Sequence, residues 1–181
     1  MKSALKKIAI VGSSCSGKTT LARKLEQRLK LKRIELDAIN WLPDWQELDY
    51  DEFAKIVDQE TLADSWIVDG NYQSRLNGLT LQRADKIIWL NLPFATVYRR
   101  LFSRLYDRII IGEELWSGNR ESVWRTLFDK DSLLYWIPRR YWVSRRGYVR
   151  FFRNPLYANK LLEFQDAASL TEWLASIPEE G

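Results

Sequence analysis

Short apolar runs alternate with amphipathic stretches along most of this chain. Five runs have the length and composition of strands: Lys7-Ile8-Ala9-Ile10-Val11, Arg33-Ile34-Glu35-Leu36, Trp66-Ile67-Val68-Asp69, Lys86-Ile87-Ile88-Trp89-Leu90 and Lys160-Leu161-Leu162-Glu163-Phe164. Between them the apolar positions recur with helical period. Leu21, Leu25 and Leu29 return every four residues, and Phe53, Ile56 and Val57 share one side of a helix. The spacing predicts helices over 18–30, 51–62, roughly 94–109, 120–136 and about 167–176. A break is expected before Pro138, and the stretch 137–158 is interrupted by Pro138, Gly147 and Pro155. Strands alternating with helices argue for an α/β protein with a parallel sheet covered on both faces. At 181 residues with short linkers and no internal repeat, a single domain is expected.

The first strand and first helix enclose the most specific pattern in the chain. Gly12-Ser13-Ser14-Cys15-Ser16-Gly17-Lys18-Thr19 fits G-x-x-x-x-G-K-[ST]. In that pattern the backbone N–H groups cradle a β-phosphate, and a helix N-terminus faces the anion. Lys18 would reach the β- and γ-phosphates, and Thr19 would ligate Mg²⁺, with Thr20 beside them. A nucleoside triphosphate, ATP, is the implied ligand. The bland alternative is a glycine-serine turn before a helix, but strand, loop and helix occur here in the required order.

Composition narrows the chemistry. There is no histidine, which excludes Ser-His-Asp hydrolysis and His-ligated metals, but not phosphoryl transfer, which relies on positioning, Mg²⁺ and cations. One cysteine excludes an intramolecular disulfide and a Cys-rich zinc site. No apolar run approaches the roughly 20 residues of a membrane span, and no signal-peptide core precedes the loop, so a cytoplasmic location is expected. The net charge of +4 hides blocks. Residues 33–98 hold 12 acidic and 5 basic side chains, whereas 99–153 hold 13 basic and 6 acidic, nearly all the basic ones arginine. Arginine suits bidentate binding of phosphate, so an anionic ligand is implied.

Beyond the loop, several segments carry a resemblance. They are Glu35-Leu-Asp-Ala-Ile-Asn-Trp-Leu-Pro-Asp-Trp, Trp66-Ile-Val-Asp-Gly-Asn-Tyr, Ala84-Asp-Lys-Ile-Ile-Trp-Leu-Asn-Leu-Pro and Gly118-Asn-Arg-Glu-Ser. With the loop they make the chain resemble the adenylate-kinase-related P-loop kinases, and more narrowly the DNA topology modulation, or flagellar-regulator-type, group. The resemblance implies a three-layer P-loop NTPase fold with a five-stranded parallel sheet of order 2-3-1-4-5. It also implies an acceptor region after the second strand and a small arginine-bearing helical lid, roughly 100–155. The implied activity is transfer of the γ-phosphoryl group of ATP, with Mg²⁺, to a small-molecule acceptor.

Single residues follow from both readings. Asp37 lies at the C-terminal edge of the second strand, where α/β sheets bind ligands; related kinases use such a carboxylate to orient or deprotonate the acceptor, and the alternative is a cap. Trp41, with Pro43 and Trp45, offers a stacking platform or a loop staple. Asp69 resembles the acid that helps hold Mg²⁺ in this family, or else makes an Asx-turn. Gly70 permits close approach of substrate. Asn71 and Tyr72 stand where adenylate kinases carry Phe-Pro-Arg, so the arginine for an acceptor phosphate is missing there, with Arg75 a substitute from the next turn. Arg100, Arg104 and Arg108 recur every four residues and are expected in the lid, with Asn119 and Arg120 on its far side. The alternative is a solvated basic face. The arginines and aromatics of 135–153 allow a second function, an ATP-dependent nucleic-acid-binding regulator, which the acidic middle block disfavours.

Overall fold

In the computed structural model, residues 5–111, 116–119 and 133–178 are described. Five parallel strands form one sheet of order β2-β3-β1-β4-β5. They are β1 (Lys7–Gly12), β2 (Arg33–Glu35), β3 (Trp66–Asp69), β4 (Lys86–Leu90) and β5 (Leu161–Phe164). Around it lie α1 (Lys18–Leu29), α2 (Leu36–Asn40), α3 (Tyr50–Glu60), α4 (Leu79–Arg83), α5 (Phe94–Ile111), α6 (Leu133–Phe151), α7 (Pro155–Ala158) and α8 (Ala167–Ser176). The chain has the three-layer α/β P-loop fold.

Strand alternation decides which side chain enters which layer. Ile8, Ile10, Ile67, Ile88 and Leu90 meet Leu21, Ala22, Leu25 and Leu29 of α1, with Trp173 and Leu174 of α8 packed alongside. Ala9, Val11, Val68, Ile87 and Trp89 point the other way, onto Phe53 and Val57 of α3, Leu81 and Phe152. Both faces are dry, which is why these strands read as continuous apolar runs. Trp66 is fully buried, and its indole N–H donates to the Thr61 carbonyl at 3.2 Å.

Three expectations need correction. The second strand stops at Glu35, and Leu36 opens α2, so Asp37 sits in the first turn of a short helix rather than at a strand end. Lys160 precedes β5. The break before Pro138 does not occur: α6 runs through it from Leu133 to Phe151. An interior proline removes one helical hydrogen bond. The helix continues regardless, and its part after the proline is anchored to the end of the sheet. Beyond Pro138 the Tyr141 hydroxyl donates to the Leu92 carbonyl at 2.7 Å, and Arg145 Nε donates to Asn91 Oδ1 at 2.8 Å. The predicted helix 120–136 lies mostly outside the described residues; only 133–136 falls in α6.

The aromatic residues of this basic stretch are core-facing in part. Tyr141 and Phe152 are buried, and Tyr148 stacks on Phe152, while Trp142 is half exposed. No helix of the described residues is long and apolar enough to cross a membrane. Replacing Trp66 by Ala removes the largest fully buried side chain among the described residues; we expect a loss of about 3–5 kcal/mol in a denaturant titration.

Candidate active site

β1 ends at Gly12, and the chain turns through the glycine-serine loop into α1. Gly12 has φ 153°, and a Cβ there would stand 2.8 Å from the Leu90 carbonyl oxygen. The loop therefore passes too close to β4 for any side chain. Gly17, at φ 97°, caps α1 with no side-chain hydrogen bond, and Cys15 takes a left-handed φ of 61°. The first-turn N–H groups of α1 are thus left for an anion.

Cations gather at the same place. Lys18 Nζ donates to the Gly12 and Ser13 carbonyls, each at 3.1 Å. Burial pushes its pKa down, Asp69 and Asp37 pull it back up, and Arg104 adds to the lowering. From α5, Arg100 donates to the Ser16 carbonyl at 2.7 Å, and Arg104 reaches Cys15 Sγ at 3.9 Å. The sequence-predicted Arg100 and Arg104 therefore do lie over the phosphate loop. The Arg108 side chain and Arg120 lie outside the described residues. Two guanidiniums, a buried ammonium and a helix N-terminus repel one another unless an anion sits among them.

Carboxylates form the opposite wall. Asp69 closes β3 and is only 3% exposed. Burial raises its pKa, and the charge of Lys18 and the Thr19 side chain oppose that rise. Its Oδ2 has no hydrogen-bond partner, and neither has the buried Ser16 Oγ. The orphaned Asp69 oxygen, beside Thr19, suits Mg²⁺, which keeps most of its waters and takes few protein oxygens, whereas Ser16 Oγ lies against Gly12. Among the described residues no cluster of three acidic or cysteine side chains could hold a metal by itself. Asp37 accepts a 2.7 Å hydrogen bond from the Tyr72 hydroxyl. Burial, with the Asp37 charge, holds the Tyr72 phenol well above its ordinary pKa, so it stays a donor. Gly70 has φ 149°, and a Cβ there would lie 2.8 Å from Leu36 Cβ. What requires this glycine is packing against α2.

Residues 41–48 fold back on themselves. Trp41 bridges Glu47, and a 3-10 turn, Pro43–Trp45, lies between, with Asp44 and Trp45 at positive φ. Trp41 and Trp45 meet edge to face at 5.6 Å. The segment Trp116–Gly118 and Asn119 hold this hairpin. Asn119 accepts from the Trp45 N–H at 3.0 Å and donates to the Leu42 carbonyl at 2.9 Å, and the Trp116 indole donates to Glu35 Oε1 at 2.9 Å. Arg75 is spent on the same hairpin. It bonds Asn40 Oδ1, the Leu48 carbonyl at 2.8 Å and Glu47 at 3.3 Å, and its guanidinium lies 4.7 Å over the Phe53 ring. It is a structural cation rather than the acceptor-phosphate group suggested by its position in sequence.

Asn71 does not turn toward the acceptor wall. Its amide donates to the Gly12 carbonyl at 2.5 Å and accepts from the Gly12 N–H at 3.2 Å, and the Tyr148 hydroxyl of α6 adds a 2.9 Å bond to the same Oδ1. Sequence reasoning gave Asn71 to the substrate and passed over Tyr148. The register of β1 on β3 was the usable signal: Ile10 lies opposite Asp69, so the next pair but one is Gly12 and Asn71.

No protein-family model matches the chain. It is similar to a Pyrococcus furiosus protein named "Putative adenylate kinase", with 33% identity over 115 residues, 60% of this chain. The match spans 61% of that relative's length. Among solved structures it is similar to the shikimate kinase of Acinetobacter baumannii bound to shikimate, with a TM-score of 0.53 and 17% identity over 94% of this chain and 91% of that one. That likeness is one of fold.

The raised pKa of Asp69 means that its charge opposes folding. Its contribution is most favourable below the ordinary carboxylate range and is lost as pH rises through the raised folded value. Asp69→Asn should therefore raise the melting temperature at pH 7. The gain should vanish at acid pH. A melting curve at each pH checks the sign.

Proposed function

We propose that the protein is an ATP-dependent phosphotransferase of the nucleoside- and nucleotide-kinase type. The observation that carries this reading is the convergence of Lys18, Arg100, Arg104 and the uncapped N-terminus of α1 on one loop. The facing carboxylates Asp37 and Asp69 support it, as does the similarity to an adenylate-kinase-named relative. Within that class we extend the reading to the DNA topology modulation group, on the support of the Glu35–Trp45, Trp66–Tyr72, Ala84–Pro93 and Gly118–Ser122 segments.

The loop Gly12–Thr19 binds the phosphates of ATP. Lys18 leaves the Gly12 and Ser13 carbonyls for the β- and γ-phosphates. Thr19 and Asp69 would hold Mg²⁺, Asp69 through water. When bound there, the ion would supply neutralisation of phosphate charge. Arg100 and Arg104 lie where charge develops on the transferring group, and Arg108 and Arg120 are proposed to join them. On the acceptor side, Asp37 takes the proton of an acceptor hydroxyl as its oxygen bonds to the γ-phosphorus and the bond to the β-phosphate oxygen breaks. Tyr72 keeps Asp37 oriented, Gly70 keeps that wall close, and the Trp41–Trp45 pair covers the acceptor.

A hydroxyl is favoured over a phosphate as acceptor. Asp37 and Glu35 face this end, and the guanidiniums of Arg75 and Arg33 are engaged by Asn40, Leu48, Glu47, Glu26 and Glu35. The nucleic-acid reading gains less, since Tyr141, Tyr148 and Phe152 pack against protein and are not open for stacking.

Lys18→Ala should lower ATP-dependent transfer by roughly 100-fold or more with the far-UV spectrum unchanged. Retained transfer by a folded variant removes Lys18 from the mechanism. ATP consumption screened over nucleosides, small hydroxylated metabolites and nucleoside monophosphates should rise with a hydroxyl acceptor. Stimulation by monophosphates alone would reverse the acceptor assignment.

A further inference from the structure

We propose that Asn71 and Tyr148 form a positioning pair that lets Lys18 move onto the nucleotide. The proposal rests on the phosphotransferase reading above and goes beyond it, since neither residue touches substrate.

The argument starts from one carbonyl. The Gly12 oxygen accepts two hydrogen bonds, from Lys18 Nζ at 3.1 Å and from Asn71 Nδ2 at 2.5 Å. A carbonyl has two lone pairs, so both are occupied. Lys18 must give up its bond to reach phosphate. Without Asn71 that would leave a buried carbonyl unpaired, a penalty that holds the lysine back. With Asn71 in place, the carbonyl keeps a partner throughout. Asn71 also accepts from the Gly12 N–H at 3.2 Å, so its amide grips the peptide groups on both sides of Gly12. This continues the β1–β3 pairing past Asp69, with a side chain standing in for a strand. Gly12 is already confined on its other side by the Leu90 carbonyl, 2.8 Å from where a Cβ would be.

Asn71 is itself held. The Tyr148 hydroxyl donates to Asn71 Oδ1 at 2.9 Å. That oxygen then has two donors and the amide nitrogen one acceptor, which fixes the amide orientation. Burial keeps the Tyr148 phenol far above its ordinary pKa, so it remains protonated at any working pH. Its ring lies against Trp89 and Phe152, at centroid distances of 5.9 and 5.6 Å. The chain of contacts therefore runs from the body of α6 through Tyr148 and Asn71 to Gly12 and Lys18. A helix anchored to the end of β4 at Leu92 and Asn91 thereby sets the readiness of the phosphate-binding lysine.

The test is a double-mutant cycle on ATP affinity, measured by calorimetry with Mg²⁺-ATP on Lys18→Ala, Asn71→Ala and the double variant. Wild-type binding of ATP comes first; its absence would defeat the phosphotransferase reading rather than this one. Asn71→Ala in the native background should weaken ATP about tenfold. In the Lys18→Ala background it should weaken it less than about twofold, because there is no lysine left to hold back. Equal losses in both backgrounds would overturn the proposal, since a merely structural role is additive. Tyr148→Phe keeps the ring packing and removes only the hydroxyl, so it remains testable if Asn71→Ala fails to fold. It should weaken ATP about threefold, again only when Lys18 is present. Unchanged affinity in Tyr148→Phe would remove Tyr148 from the pair.

Discussion

Everything at the business end of this protein depends on keeping an ammonium buried in a loop of backbone. Lys18 is surrounded by carbonyls and flanked by cations, and its burial works against its own charge. Beyond the two carbonyls it bonds, two kinds of neighbour offset that cost most directly. One is the carboxylate wall of Asp69 and Asp37; the other is an anion brought from outside. The free protein settles for the first. The sheet exists, in functional terms, to hold β1 and β3 side by side so that this compromise is available. A loop of small residues with no side-chain cap is what the compromise looks like in sequence.

The donor half of the site was legible because its causes are local. Four residues between two glycines, a lysine and a threonine state the loop completely, and β1 and α1 declare themselves by apolar run and by Leu21, Leu25 and Leu29. The acceptor half was not, because its causes are distant. Arg75 reads as a free cation until Asn40 and Leu48, 35 and 27 residues away, are seen to hold it. Asn71 reads as a substrate contact until strand register puts it beside Gly12. The five-residue α2 is too short to show a period, so Asp37 was placed on a strand end. Pro138 shows the same limit from the other side. The local rule is sound, yet the helix runs through the proline, and beyond it Tyr141 and Arg145 bond Leu92 and Asn91 just past β4.

The two halves differ in what holds them. The phosphate loop is gripped by backbone geometry and by Asn71, with almost no freedom to change residue type at Gly12. The hairpin of residues 41–48 hangs largely from side chains: Arg75 at its base, and Asn119 with Ser117 above. The interior of that hairpin is exposed at Leu42, Pro43 and Asp44 and carries little of the core.

If the phosphotransferase proposal holds, that arrangement makes substrate choice portable. A length of chain fastened at its base, by Arg75 and by the side chains of Ser117 and Asn119, can exchange its tip while the sheet, the loop and Lys18 stay as they are. On that reading, descendants of such a chain can acquire new acceptors by rewriting the tip, without rebuilding the loop proposed to hold ATP.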